Sequence, residues 1–80
     1  MSEFSRLKWH CRRGMKELDV MLTRYLEEYY PNASETEQAT FRELLDLSDP
    51  LMYAYFLGYE TPSNPELMAL IEKIRGFFKL

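Results

Sequence analysis

An all-α fold, a small single-domain bundle of four to five short helices over residues 1–80, is what this sequence predicts, and three observations carry it. Apolar residues recur at helical spacing along most of the chain. No segment alternates apolar and polar residues as a half-buried strand would. Cap-and-proline signals separate the periodic stretches by a few residues, which makes neighbouring helices mostly antiparallel. A chain of 80 residues buries only about 60% of the surface it exposes unfolded, so all helices must share one core. The apolar content of 46%, with 15% aromatics, supplies that core and excludes a disordered chain.

Glu3 to about Arg12 forms the first helix, with Phe4, Leu7 and Cys11 on one stripe. Trp9 and His10 fall off it. A tryptophan so placed usually packs against another helix with its N–H bonded, and an exposed, partner-binding indole is the alternative. From Gly14 to Tyr29 the residues Met15, Leu18, Leu22, Tyr25, Leu26 and Tyr29 mark the clearest helix. Pro31 pushes its predecessor out of the α region, leaving Tyr30 as the last helical position. Ser34-Glu35-Thr36-Glu37 reads as a capping box, in which the Ser34 hydroxyl accepts from the Glu37 N–H and the Glu37 carboxylate reaches back to the Ser34 N–H.

Phe41, Leu44, Leu45 and Ser48 give this third helix its face. Asp49 as N-cap and Pro50 at the first helical position then start a short fourth helix, filled by Leu51, Ala54, Tyr55 and Phe56. Gly58 is its natural left-handed cap. After a loop over Tyr59 to Ser63, Asn64-Pro65 repeats the cap-and-proline start, and Leu67, Leu70, Ile71, Ile74, Phe77 and Phe78 give the last stripe.

Charge is unevenly spread over a net of −3. Residues 1–24 carry Arg6, Lys8, Arg12, Arg13, Lys16 and Arg24 against Glu3, Glu17 and Asp19, whereas residues 25–72 carry Arg42 against ten acids. Such a dipolar molecule suits a partner of mixed charge, while a nucleic-acid binder is expected to be net positive. Cys11 is the only cysteine, which excludes an internal disulfide and a zinc site built on cysteine pairs and suits a reducing compartment. No apolar run approaches the ~18 residues of a membrane span, and no charged-then-apolar leader opens the chain, so the expectation is a cytoplasmic protein without membrane insertion.

Catalytic chemistry finds little support. His10 and Cys11 adjoin, but helical neighbours diverge by about 100°, so they do not share the hydrogen bond a thiolate nucleophile needs. A buried Cys11 and a surface His10 are expected instead. One histidine and scattered carboxylates offer no metal-ligand spacing, and glycines 14, 58 and 76 form no phosphate loop. Tyr29, Tyr30, Tyr53, Tyr55 and Tyr59 could form an aromatic surface, yet at helical spacing beside leucine they are more often core. By elimination the chain reads as a binding module, not an enzyme, with no catalytic, cofactor or metal residues assigned.

The stretch Arg12-Arg13-Gly14-Met15-Lys16-Glu17-Leu18-Asp19 sets charged side chains around the chain's first glycine. A helix interior avoids glycine, which costs roughly 1 kcal/mol against alanine. If the segment is helical, Arg13 and Glu17 stand one above the other at i and i+4, with Gly14 and Asp19 to either side and Arg12 and Lys16 on a second stripe. The plainer reading is a solvated face with an intrahelical pair worth a few tenths of a kcal/mol. For Gly14 the expectation is the first turn of the second helix, kept free of a side chain for close approach of a partner; a turn cap with φ > 0 is the alternative.

Read together with Trp9-His10-Cys11 before it, this run resembles the signature of the SdhE/YgfY family of succinate dehydrogenase assembly factors, whose hallmark is Arg-Gly-x-x-Glu. Residues 41–57, with Phe41, Leu44, Leu45 and Asp49-Pro50 ahead of an aromatic-rich block, resemble the family's second block, and the likeness extends over about residues 5–76. It implies a helical chaperone that binds the flavoprotein subunit of succinate dehydrogenase, and in some bacteria of fumarate reductase, and promotes covalent attachment of FAD to a histidine of that subunit. The attachment is autocatalytic in the flavoprotein, so the helper's part would be positioning.

Carried over residue by residue, the functional positions are Arg13, Gly14 and Glu17, flanked by Trp9, Arg12 and Asp19. Mitochondrial members bear a targeting extension, and the short lead here implies a bacterial, cytoplasmic member; separately, the free protein is expected to be a monomer. An antitoxin-like or cytoskeleton-related interaction protein is the alternative. Nucleic-acid binding ranks third, with only the basic stretch from Arg6 to Lys16 behind it.

Overall fold

In the computed structural model, residues 2–12 and 14–78 are described, so Arg13 lies outside the described residues. Five α-helices and one 3-10 turn follow in order among them, with no strand: α1 (Glu3–His10), α2 (Lys16–Glu28), the turn Tyr30–Asn32, α3 (Glu35–Leu45), α4 (Asp49–Leu57) and α5 (Pro65–Phe78). Ser2 caps α1, its hydroxyl accepting from the Ser5 N–H at 3.2 Å. The helix closes at Cys11, whose N–H still reaches the Leu7 carbonyl at 3.1 Å.

Between α1 and α2 the chain turns, and here the sequence expectation fails. Gly14 has φ +78°, in the left-handed region, and Met15 is extended at φ −110° and ψ 111° as the N-cap of α2. The second helix therefore begins at Lys16 and not at Gly14. The glycine serves a backbone conformation that L side chains resist, because a Cβ there crowds the following carbonyl. Helical periodicity in the apolar residues runs on through this turn, since Cys11 and Met15 both face the core, and so conceals it.

The later joints are set locally too. Helix α2 stops at Glu28, two residues short of the expected limit, and Pro31 fits inside the 3-10 turn, where it gives up no needed N–H. The amide of Gln38 bonds the Tyr30 carbonyl of that turn at 2.7 Å. Ser34 caps α3 as expected, accepting from the Glu37 N–H at 3.1 Å. The reciprocal half of the capping box is absent. The Glu37 carboxylate instead takes the Tyr25 hydroxyl and the Lys73 ammonium, the latter at 2.9 Å, because a tertiary pair of donors competes better than one exposed backbone N–H.

The cap of α4 is Ser48, accepting from Leu51 N–H, which makes Asp49 the first helical residue and Pro50 the second, one position later than expected. Gly58 ends α4 at φ +82°, with Tyr59 N–H bonding the Ala54 carbonyl at 2.9 Å and Gly58 N–H that of Tyr55 at 3.2 Å, the paired pattern of a left-handed helix stop. Asn64 caps α5 through its side-chain oxygen, 2.9 Å from Glu66 N.

Helix α5 is the centre of packing: α2, α3 and α4 all lie against it, and α1 rests on α2. The shared core takes Leu7 and Cys11, the α2 stripe Leu18, Met21, Leu22, Tyr25 and Leu26, then Phe41, Leu44 and Leu45, Met52 and Phe56, and Leu67, Leu70, Ile71 and Ile74. Full burial of one such leucine stabilises by about 1.5–3 kcal/mol, more than any exposed pair described below. Of the five doubtful tyrosines, Tyr30 is core and Tyr55 packs against it, whereas Tyr29, Tyr53 and Tyr59 are exposed, Tyr59 at 78%. Phe77, expected on the core stripe, is exposed and stacks on Tyr29 with centroids 4.0 Å apart.

Candidate functional site

Helices α1 and α2 run antiparallel, joined by Lys8 to Glu27 at 3.6 Å, and the start of α1 is tied by Glu3 to Arg42 of α3 at 3.5 Å and to the Tyr30 hydroxyl of the 3-10 turn at 3.4 Å. Because α1 is short and sends only Leu7 and the capping Cys11 fully into the core, its remaining faces are open. One of them forms, with α2, an open groove of about 700 Å³. Trp9 and Arg12 line it from one side, Asp19, Val20 and Arg24 from the other.

Trp9 does not pack against another helix. Its side chain is 67% exposed, with no hydrogen bond to its indole N–H among the described residues. Leu7 and Cys11 already fill the space beneath α1, and the indole, about 200° around the helix from Leu7, projects away from the core. What it does contact is the Arg12 guanidinium, 5.6 Å above the ring centroid, a cation–π pair worth about 0.5–1 kcal/mol when exposed. Arg12 makes no ion pair with a described carboxylate. Asp19 comes into the same groove from the first turn of α2, where the helix N-terminus favours a carboxylate.

Of the six sequence-predicted site residues the fold thus brings Trp9, Arg12 and Asp19 onto one groove. Gly14 sits in the turn at its end, exposed, and a Cβ added there would meet nothing within 4 Å. Glu17 is exposed in the first turn of α2, outside the groove lining, and no hydrogen bond or ion pair joins it among the described residues. The Arg12 and Lys16 stripe does not form, since Arg12 precedes the turn and Lys16 follows it, and the expected stacking of Arg13 over Glu17 lies outside the described residues.

Val20, Lys8 and Arg24 were not singled out by sequence. Val20 carried the one usable signal: an apolar residue off the Leu18, Leu22 and Tyr25 stripe, hence left outside the core, and it is 46% exposed.

Among the described residues the site does not pair His10 with Cys11. Cys11 is fully buried and His10 exposed. Among the described residues no three His, Cys, Asp or Glu side chains cluster as a metal would need, and no helix is long and apolar enough to cross a membrane. Shifted ionisation lies elsewhere, between α2, α3 and α5. Burial, then the bond to Glu37, push the Tyr25 phenol well above its ordinary value. Partial burial pushes the Glu37 carboxyl upward, but the hydrogen bonds from Tyr25 and Lys73 together outweigh it and hold it below the usual range. This trio joins three helices and touches no part of the groove.

Comparison with known proteins covers most of the chain. A "FAD assembly factor SdhE" of Coxiella burnetii is 43% identical over 70 residues, covering 88% of this chain and 85% of its own length. The proteins of that name from Pseudomonas aeruginosa and Methylococcus capsulatus are 40% identical over 73 residues and 43% over 76, each covering more than nine-tenths of this chain and 87% and 92% of their own. The family described as "Flavinator of succinate dehydrogenase" matches residues 5–78, from the open face of α1 through the whole of α5, and it is to this family that the chain belongs.

Proposed function

We propose that this protein binds the flavoprotein subunit of succinate dehydrogenase in the bacterial cytoplasm and promotes its covalent FAD attachment, with Trp9, Arg12, Arg13, Gly14, Glu17 and Asp19 as the contact surface. One observation carries the reading. Polar and aromatic residues in and around the Arg-Gly-x-x-Glu stretch sit where the core does not use them: Trp9 two-thirds exposed under Arg12, Glu17 exposed and unpaired among the described residues, Gly14 open to solvent. Side chains that the fold leaves free at a helix junction, rich in Trp and Arg, have the composition of a binding hot spot. The protein acts as a monomer, and the fumarate reductase flavoprotein, where an organism has one, is a second client.

A partner held this way contributes no reacting group. Its effect is to fix the flavoprotein so that flavin and acceptor histidine meet, an entropic gain that can be large because the two reacting groups lie in one complex. Deletion of the gene should abolish or strongly reduce the covalent flavin fluorescence of the succinate dehydrogenase band in denaturing gels, and the flavoprotein should co-purify with the tagged protein. Undiminished covalent flavin in the deletion strain would refute the function.

A further inference from the structure

We infer that the groove between α1 and α2 seats an acidic segment of the flavoprotein that carries one apolar side chain, which enters between Trp9 and Val20 while flanking carboxylates meet Arg12 and Arg24. This rests on the flavoprotein reading above and extends its contact surface beyond the motif, to Val20 and Arg24.

The apolar part follows from exposure. Trp9 at 67% and Val20 at 46% come from different helices and line the same groove. Neither supports the core, so both present apolar surface to water. Burial of such surface against a partner is favourable.

The charged part follows from where the cations stand. Arg12 lies just past the C-terminal end of α1, next to the turn, and on α2 Arg24 lies one turn, about 6 Å, beyond Val20. The two guanidinium groups therefore flank the apolar pair along the groove. Arg12 has no described carboxylate as partner. Arg24 is held from two sides, by Glu28 at 3.1 Å through Nε and by the Phe78 ring, 5.3 Å from the guanidinium carbon. An arginine bonded through Nε keeps its two outer nitrogens for another carboxylate, and one already immobilised loses less entropy on binding.

Phe78 thus positions a groove residue from the far end of the chain. Lys8 is occupied by Glu27 across the helix pair and is left out of the recognition. Lys8, Arg12 and Arg24 against Asp19 leave the lining net positive, which favours an acidic occupant, and a nucleic-acid strand is disfavoured by the ten acids of residues 25–72.

The test is titration of purified flavoprotein subunit into the full chain and its variants at low and high salt, with circular dichroism to confirm folding. Val20→Asp and Arg24→Glu should each raise Kd by about tenfold or more, and the Arg24 variant should also flatten the salt dependence. Phe78→Ala should weaken binding about threefold, and should add nothing in an Arg24→Gln background, the non-additivity expected of a residue acting through another.

Folded Val20 and Arg24 variants that bind as tightly as the parent overturn the proposal and leave the flavoprotein reading intact. A parent chain that binds no flavoprotein overturns both. A parent chain that self-associates, and loses this in Val20→Asp without loss of flavoprotein binding, overturns it in favour of a second copy as occupant.

Discussion

Gly14 separates backbone demand from contact more cleanly than any other position. Its φ of +78° lies where an L side chain is strained, and a Cβ built there meets nothing within 4 Å. The cost of Gly14→Ala is then conformational alone, about 1 kcal/mol or somewhat more, and the usual stabilisation from stiffening the unfolded chain does not compensate, because the native conformation is incompatible. For a domain of this size that is a fall in Tm of about 4–8 °C per kcal/mol.

Two further variants check the reasoning. Gly14→Leu should lose about as much as alanine, since the additional atoms meet only solvent, and Gly14→Asn should lose less, because asparagine tolerates the left-handed region. Thermal and urea denaturation of the three read this directly. An alanine variant as stable as the parent would refute the left-handed assignment, and a leucine variant much worse than alanine would reveal a neighbour close to the turn. Binding to the flavoprotein by the well-folded asparagine variant then tests close approach: weakened binding is expected.

Trp9→Ala should leave stability within about 0.5 kcal/mol while weakening flavoprotein binding by about 2 kcal/mol or more; unfolding on substitution would show the indole to be structural. Glu17→Ala should melt within about 0.5–1 kcal/mol of the parent, the loss of a carboxylate at a helix N-terminus, and should lose flavinylation in a complemented deletion strain; full complementation would remove Glu17 from the site. Glu37→Gln should cost about 1–2 kcal/mol, because it weakens what Tyr25 and Lys73 bind.

The pH dependence has two limbs. The Glu37 carboxyl is held low in the folded state, so its contribution is complete above its unfolded value of about 4.3 and vanishes as pH falls through the folded value. The raised Tyr25 phenol adds an alkaline limb, stability falling as pH climbs past about 10. Urea midpoints against pH for the parent and Glu37→Gln should differ in the acid limb; identical acid limbs would refute the Glu37 assignment.

The helices were legible because each is written in short-range terms. Periodic leucines marked α2 and α5, Gly58 marked a stop, and Asn64-Pro65 a start, all information lying within a few residues. The errors fall where local and tertiary signals coincide or compete. Apolar spacing carried from Cys11 across to Met15 because both ends of the turn bury against one core, and nothing local distinguished a left-handed glycine from a helical one. Glu37 sits at the right position for a capping box, but its preferred donors arrive from residues 12 and 36 positions away.

The groove was half visible for the same reason. Trp9, Arg12 and Asp19 stand out through the family signature, with the first helix expected to end near Arg12 and the second to start at Gly14, and they meet because the chain turns between them, setting the C-terminal end of α1 beside the start of α2. A glycine at φ +78° is thus what converts a linear motif into a surface. That gives Gly14 a role even if no partner atom ever touches it. A straight helix through this position would leave Trp9 and Asp19 ten residues, or about 15 Å, apart along one axis, whereas the turn puts them on opposite walls of one groove. Loss of function in a Gly14 variant therefore has two physical origins, strain that opens the turn and obstruction of a partner. Asparagine tells them apart: a variant that keeps the turn and still fails to bind has been obstructed, and one that binds shows that the turn itself was the requirement.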